Sequence, residues 1–143
     1  MLIPDVNLLL YATIDAFPQH AKTRRWWEQA VNSGEEIGLA DPAIFGFVRI
    51  STNPRLIKPP MPIEEAAGTV GTWLDRPNVI RAVPGPRSLD LALGFLRTVG
   101  TAANLTTDAQ LAAIAVESGG TVCSTDSDFA RFDGVRWVNP LTR

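Results

Sequence analysis

Residues 107–115 read Thr-Asp-Ala-Gln-Leu-Ala-Ala-Ile-Ala, and this stretch predicts a buried helix that begins with an acid. Thr106 and Thr107 are both good N-cap residues, so we place the start of the helix there. Three apolar residues share a helix face with Asp108, at spacings of three, four and seven: Leu111, Ala112 and Ala115. A carboxylate at the head of a buried stripe needs a cation or several donors, although an acid in the first turn also suits the helix dipole.

Two further acids follow predicted strands. The apolar run 1–4 ends at Asp5, and the run 121–124 is soon followed by Asp126. Strand ends of a parallel sheet meet at one edge, where sites form in α/β folds, so we expect both acids to lie near Asp108. Asp5 could instead only cap the helix that follows it.

Strands and helices alternate along the chain with short connections. We predict strands at 1–4, 36–40, 78–83, 121–124 and 136–138, and helices at 6–12, 18–32, 42–50, 63–74, 89–99 and from 107. Asp41 and Ser88 are interpreted as N-caps, Asp41 with a proline directly after it. The four prolines of residues 54–62 mark a loop. This order predicts an α/β fold with a central, mostly parallel sheet flanked by helices, in one domain of residues 1–143.

The composition is that of an ordinary globular domain, with 45% hydrophobic and 20% charged residues. The net charge of -2 provides no general electrostatic footprint for nucleic acid. The excess of acids lies in residues 101–143, which carry five acids against three bases. No stretch has the length of a membrane span or the layout of a signal peptide, so we expect a cytoplasmic protein without a membrane partner.

Cysteine and histidine are nearly absent, which narrows the metal chemistry. Cys123 is the single cysteine and lies in an apolar run, so we expect it to be buried. His20 is the single histidine and lies at a polar helix start, where we expect it to be solvated. Three carboxylates converging at one edge repel one another unless a cation neutralises them, and oxygen ligands alone favour Mg²⁺ or Mn²⁺.

Several motifs together resemble the PIN-domain ribonucleases, and more closely the VapC-like toxins of bacterial toxin–antitoxin pairs. These motifs extend over nearly the whole chain: Asp5-Val6-Asn7, residues 47–55, residues 108–115, residues 125–129 and Asn139-Pro140-Leu141. The resemblance implies a PIN-like three-layer fold in which an acidic site holds Mg²⁺ for RNA cleavage. The residues implied as catalytic metal ligands are Asp5, Asp108 and Asp126, with Asp128 close by as a further ligand. Asn7 and Thr125 resemble residues that orient these carboxylates.

The resemblance also implies partners: a VapB-like antitoxin, an RNA substrate and a second copy of the chain in a homodimer. The antitoxin segment is expected in the groove between the tryptophan-bearing helix 18–32 and the helix 42–50. On the latter, Phe45 and Phe47 point about 200° apart, so one of them is predicted to be available to a partner. The candidate phosphate contacts are Arg49, Arg55 and Lys58.

One position departs from the family pattern. Many members have a glutamate three residues before the arginine equivalent to Arg49, where this chain has Gly46. If that acid is a lost ligand, we expect the protein to bind metal more weakly than its relatives do. The helix backbone should then tolerate Gly46→Glu, and the substitution should strengthen metal binding. The competing interpretation is that Gly46 makes room for close helix packing or for substrate.

Our interpretation is a Mg²⁺-dependent endoribonuclease in which water attacks an RNA phosphodiester in line. Two other functions remain open. Asp5 could be the nucleophile of an aspartyl phosphohydrolase, although that chemistry usually needs a second acid where Asn7 stands and a lysine in the core. The chain could also be a PIN-like module that binds RNA or a partner with little or no turnover.

Overall fold

Five short parallel strands form the centre of the structure, a computed structural model that describes residues 1–142. The strands are β1 (Leu2–Pro4), β2 (Ile37–Ala40), β3 (Val79–Ala82), β4 (Thr121–Cys123) and β5 (Trp137–Val138). The flanking helices are α1 (Val6–Thr13), α2 (His20–Asn32), α3 (Asp41–Ser51), α4 (Ile63–Leu74), α5 (Ser88–Val99) and α6 (Thr106–Ser118). Short 3-10 helices span Ala103–Leu105, Ser127–Arg131 and Pro140–Thr142. The predicted α/β fold is confirmed, and within residues 1–142 no helix combines the length and the apolar character needed to cross a membrane.

The sheet reverses its direction of growth at its middle strand. The strand order is β3-β2-β1-β4-β5, and every neighbouring pair is parallel. The chain adds β2 and β3 on one side of β1 and then returns to add β4 and β5 on the other. The carboxyl ends of β1 and β4 therefore form the switch point at which open α/β sheets place their ligand sites.

Helix α6 is buried on nearly every side. Its fully buried residues include Ala109, Leu111, Ala112 and Ala113, and it packs against α5, α3 and β4. Alanines on several faces let these neighbours approach closely, and a helix that is apolar all round belongs in a core. The predicted buried stripe is confirmed, and Asp108 at its head is only 8% exposed.

An aromatic cluster joins three helices on another part of the core. The ring of Trp73 in α4 lies 5.8 Å from Trp27 of α2 and 4.8 Å from Phe47 of α3. Phe47 is fully buried, whereas Phe45 is 66% exposed, so the prediction that they face opposite ways is confirmed. Trp73 fills part of the space between α2 and α3. Cys123 is buried, as predicted.

The predicted helix caps at Asp41 and Ser88 are wrong. Each residue is the first of its helix, and neither α3 nor α5 has a side-chain cap. The Asp41 carboxylate instead accepts two hydrogen bonds from Arg81 Nη2, at 2.9 and 2.7 Å. The Ser88 hydroxyl donates to Glu117 and accepts from the Gly85 N–H. In both places a tertiary partner takes the polar side chain away from the helix end.

The predicted cap of α6 is also wrong. The helix begins at Thr106, its N-cap is Leu105, and no side chain caps it. The 3-10 helix Ala103–Leu105 leads directly into α6, so the backbone is already helical before the threonines. Thr106 Oγ1 donates to the carbonyl of Ala103 at 2.9 Å.

Gly46 lies where α3 crosses close to α1. A Cβ at this position would lie 2.6 Å from Val6 Cγ2 and 3.3 Å from Val6 Cγ1. Valine is stiff at χ1, so it does not move aside easily. A side chain at residue 46 therefore requires Val6 to shift, which favours the interpretation that Gly46 makes room for close helix packing.

We predict that Gly46→Ala destabilises the protein by about 1–3 kcal/mol, because overpacking outweighs the better helix propensity of alanine. In a Val6→Ala background the same change should be neutral or stabilising. Gly71→Ala is the matched control in α4, since a Cβ there meets nothing within 4 Å, and it should stabilise by about 0.5–1 kcal/mol. Urea unfolding of the five proteins measures this, and equal cost of Gly46→Ala in both backgrounds would refute the Val6 contact as its cause.

Candidate active site

The structure gathers the predicted acids at the switch point of the sheet. Asp5 directly follows β1, and Asp126 lies three residues beyond the end of β4. Asp108 is in the first turn of α6. Within residues 1–142, one group of side chains has the spacing of a metal site: Asp108, Asp126 and Asp128 each place a carboxylate oxygen within 4.8 Å of the other two.

Asp5 lies beside this trio and is held by its own donors. Its Oδ1 accepts from the Val6 N–H at 2.7 Å, and its Oδ2 accepts from Ser124 Oγ at 2.8 Å. The first of these bonds makes Asp5 the cap of α1, so the capping alternative is true as well. Burial raises the pKa of Asp5, which is 6% exposed, and the charge of Asp126 raises it further, while the two donors act in the opposite direction.

Asp108 has a strongly raised pKa. Burial, and to a smaller degree the charges of Asp5, Asp126 and Asp128, together raise its pKa from an ordinary 3.8 to about 7. The group of four carboxylates is therefore coupled electrostatically, including Asp5, which lies outside the tight trio. Such a site favours whatever brings positive charge to it.

Local backbone geometry places the two acids after β4. The Asp126 N–H donates to Ser124 Oγ at 2.9 Å, and the Asp128 N–H donates to Asp126 Oδ1 at 2.9 Å. The second bond caps the 3-10 helix Ser127–Arg131, which turns Asp128 back toward Asp126. Arg131 Nη1 lies 3.7 Å from Asp128 Oδ1 and is a cation at the rim of the site.

Ser124 is the site residue that the sequence analysis missed. Its hydroxyl is fully buried, donates to Asp5, accepts from the Asp126 backbone and lies 3.4 Å from Asn7 Nδ2. One hydroxyl thus joins the ends of β1 and β4. The predicted strand 121–124 includes Ser124, whereas the observed strand ends at Cys123. A hydroxyl residue two positions before an acid at a strand end was the available sign, since serine often bonds nearby backbone N–H groups.

Asn7 and Thr125 contact each other rather than an acid. Asn7 Nδ2 donates to Thr125 Oγ1 at 2.9 Å. Asn7 Oδ1 is buried and has no hydrogen-bond partner among residues 1–142. The candidate ligands are the carboxylates, and an all-oxygen donor set fits a hard divalent cation better than a soft metal.

Of the three predicted phosphate contacts, one lines the cleft that contains the acids. Arg49 lines a cleft of about 820 Å³ between α3 and α6 whose lining includes Asp5 and Asp108. Arg55 and Lys58 are exposed in the loop after α3 and do not line this cleft. His20 does not line it either: its Nδ1 lies 2.8 Å from the Tyr11 carbonyl, so the imidazole is half-buried and partnered rather than solvated.

Known proteins resemble this chain over nearly its whole length. The sequence profile of the PIN domain matches residues 2–135. Ribonuclease VapC33 of Mycobacterium tuberculosis is 50% identical over 141 residues, which are 99% of each chain. Ribonuclease VapC37 of the same organism is 41% identical over 98% of this chain and 97% of its own.

Solved structures share the fold at low sequence identity. The crystal structure of VapC20 from Mycobacterium tuberculosis, a Sarcin-Ricin loop cleaving toxin, matches with a TM-score of 0.71 at 14% identity, over 95% of this chain and 99% of that one. VapBC2 from Rickettsia felis, bound to a DNA fragment from their promoter, matches with a TM-score of 0.69 at 13% identity, over 96% and 97%. At such identities these structures support the fold alone.

The raised pKa of Asp108 predicts how pH changes the stability of the metal-free protein. The folded state holds this proton up to about pH 7, whereas the unfolded chain releases it near 3.8. The contribution of Asp108 to the free energy of unfolding is therefore fully present below pH 3.8, and it is lost as the pH rises through about 7. We expect Asp108→Asn to gain stability relative to wild type between pH 5 and 8 in EDTA.

Thermal unfolding at a series of pH values measures this difference. Asp90→Asn, which removes an exposed acid from α5, controls for the change in net charge. A difference between Asp108→Asn and wild type that stays constant from pH 5 to pH 8 would contradict the assignment.

Proposed function

Because this chain belongs to the PIN-domain family and, within it, to the VapC ribonucleases, we propose that it is a Mg²⁺-dependent endoribonuclease and the toxin of a toxin–antitoxin pair. The observation that carries the proposal is the set of coupled carboxylates at the switch point, open to a cleft that also contains Arg49. Residues 1–143 act as a single PIN-like domain in this proposal, and the protein works in the cytoplasm, where its RNA is.

The donor set is the main support for the cofactor. In the proposal Asp5, Asp108, Asp126 and Asp128 hold Mg²⁺, with Mn²⁺ as a possible substitute. When bound, the ion would polarise the phosphate, lower the pKa of water and neutralise charge on the leaving oxygen. Ser124 orients Asp5 through its hydrogen bond, and the turn after β4 orients Asp126 and Asp128.

The rest of the site positions the RNA. Arg49 is exposed on the cleft wall and is a candidate contact for a phosphate next to the cleaved one. Arg55 and Lys58 lie on the loop after α3 and are candidates for more distant phosphates. Asn7 and Thr125 fix each other through the hydrogen bond from Asn7 Nδ2 to Thr125 Oγ1.

An aspartyl phosphohydrolase is less well supported. That chemistry usually needs a second acid two residues after the nucleophile, where this chain has Asn7, whose amide donates to Thr125. Lys22 donates to the Leu141 carbonyl, and Lys58 is exposed, so neither supplies a core lysine. The remaining alternative is a binding module with little turnover, and an assay for cleavage separates it from a nuclease.

For partners we propose a VapB-like antitoxin and a homodimer. The support is the membership of the VapC family and the exposed apolar side chains on several elements, including Val83, Leu89 and Leu93. Both α2 and α3 pack on α1, and Trp73 occupies part of the space between them. In this proposal an antitoxin segment binds along the outer surface of α2 and α3 rather than deep between these two helices.

We predict that Asp5→Asn, Asp108→Asn and Asp126→Asn each lower the rate of RNA cleavage by about 100-fold or more, since each removes a ligand charge. Asp41→Asn is the matched control: it follows β2 at the same edge, but its carboxylate is paired with Arg81. This control should cleave like wild type.

The assay incubates purified protein with total cellular RNA and Mg²⁺ and maps the cut ends by sequencing. Cleavage should stop in excess EDTA and return with Mg²⁺ or Mn²⁺. Full activity in EDTA would refute the metal, and no cleavage by the folded wild type under any metal would favour the binding module.

Ser124→Ala should act through the metal rather than the chemistry. Without the hydroxyl, Asp5 loses a donor that lowers its pKa, so we expect the Mg²⁺ concentration for half-maximal cleavage to rise about 10-fold. Ser127→Ala, an exposed serine three residues on, should leave it unchanged. A Mg²⁺ titration of the three proteins on one RNA decides this, and equal midpoints would remove Ser124 from the site.

A further inference from the structure

Phe45 is an aromatic side chain that the fold leaves uncovered. It is 66% exposed, and among the aromatic residues of 1–142 it is the one that counts as a large exposed apolar side chain. Phe47, two residues later, is fully buried beneath Trp73. The face of α3 that packs on the protein core therefore does not include Phe45.

The position of Phe45 ties it to the acidic site. It lines the same cleft as Asp5 and Asp108, and Arg49 follows it by one helical turn on the same face. Exposed amide side chains, Asn104 and Gln110, line the cleft as well. The cleft thus combines acids for a cation, a guanidinium, an aromatic face and polar groups that can meet base edges.

This combination suits a single-stranded nucleic acid better than a protein. Single-stranded RNA is bound by stacking unpaired bases on aromatic side chains and by cations that contact its phosphates. An apolar protein surface would instead leave the amides and the guanidinium without partners when it covered them. The net charge of -2 also leaves local contacts such as stacking to supply affinity for RNA.

We propose that Phe45 is a substrate-binding residue that stacks on a base of the RNA next to the phosphate that is cleaved. The inference rests on the proposed ribonuclease function. Arg49, one turn further along α3, contacts the backbone of the same nucleotide or its neighbour. The position of the stacked base relative to the acids then fixes which phosphate reaches them.

The test uses three substitutions of one residue that differ in the chemistry they keep. Phe45→Tyr keeps an aromatic face, Phe45→Leu keeps apolar bulk without one, and Phe45→Ala keeps neither. Ile63→Ala is the control, because Ile63 is 59% exposed at the start of α4 and does not line the cleft. The kinetic constants are measured at saturating Mg²⁺ on a short single-stranded RNA that contains a mapped cut site.

Stacking predicts that Ala and Leu both raise KM about 10-fold and leave kcat within about 2-fold, whereas Tyr and the Ile63 control match wild type. Equal KM values for all variants, with wild type cleaving, would overturn the stacking role alone. A Leu variant that behaves like wild type while Ala does not would also overturn it. That result, with a change in sedimentation of Phe45→Ala, would assign Phe45 to a protein partner or second copy.

A binding arm keeps the inference separate from the proposed catalysis. The affinity of the same RNA, labelled with a fluorophore, is measured by anisotropy for Asp126→Asn with and without Phe45→Ala. A loss of about 10-fold on removing the ring supports stacking even if wild type cleaves no RNA. Equal affinities of the two proteins, or no binding by either, would overturn it.

Discussion

Repulsion among four carboxylates at one edge of the sheet is the constraint on which the rest of the structure depends. Each acid is placed by an element whose position is fixed by the rest of the fold. Asp5 follows the central strand β1, Asp108 lies on the buried helix α6, and Asp126 and Asp128 lie in the turn after β4. None of these elements can move away without opening the core. Burial raises the pKa of Asp5 and of Asp108, and repulsion from the neighbouring carboxylates raises both further. A cation that binds here is favoured by the fold itself.

The same negative charges also oppose the binding of RNA. A phosphate and four carboxylates repel one another, and the chain has no excess of positive charge to overcome this. A divalent cation would neutralise the acids and attract the phosphate at the same time, so binding and catalysis share one requirement. Two of the candidate RNA contacts, Phe45 and Arg49, lie on α3 and line the same cleft as Asp108 of α6. Among residues 1–142, Arg49 forms no ion pair with these acids.

Most of the fold was predictable because it rests on periodicity and strand order. Each observed boundary of a strand or helix lies within two residues of the predicted one, except that α6 extends to Ser118, beyond residues 107–115. The acids were found for the same reason, since strand ends are visible in the sequence. The caps at Asp41, Ser88 and Thr106 were wrong because Arg81, Glu117 and a preceding 3-10 helix decide those places, and these tertiary features have no local sequence pattern. Ser124 was missed for a related reason: a single buried hydroxyl looks like the last residue of a strand.

Gly46 shows how a departure from a family pattern can have a cause outside the site. The missing glutamate invites the view that a metal ligand was lost, but the contact with Val6 gives a packing reason for the glycine. As long as valine follows Asp5, α3 can stay this close to α1 only if residue 46 has no side chain. A glutamate at 46 would have to displace Val6, whose backbone N–H also holds Asp5. Residues 6 and 46 are therefore coupled, and an acid could be restored at 46 only together with a smaller residue at 6. The four aspartates present in this chain must meet the needs of the site without it.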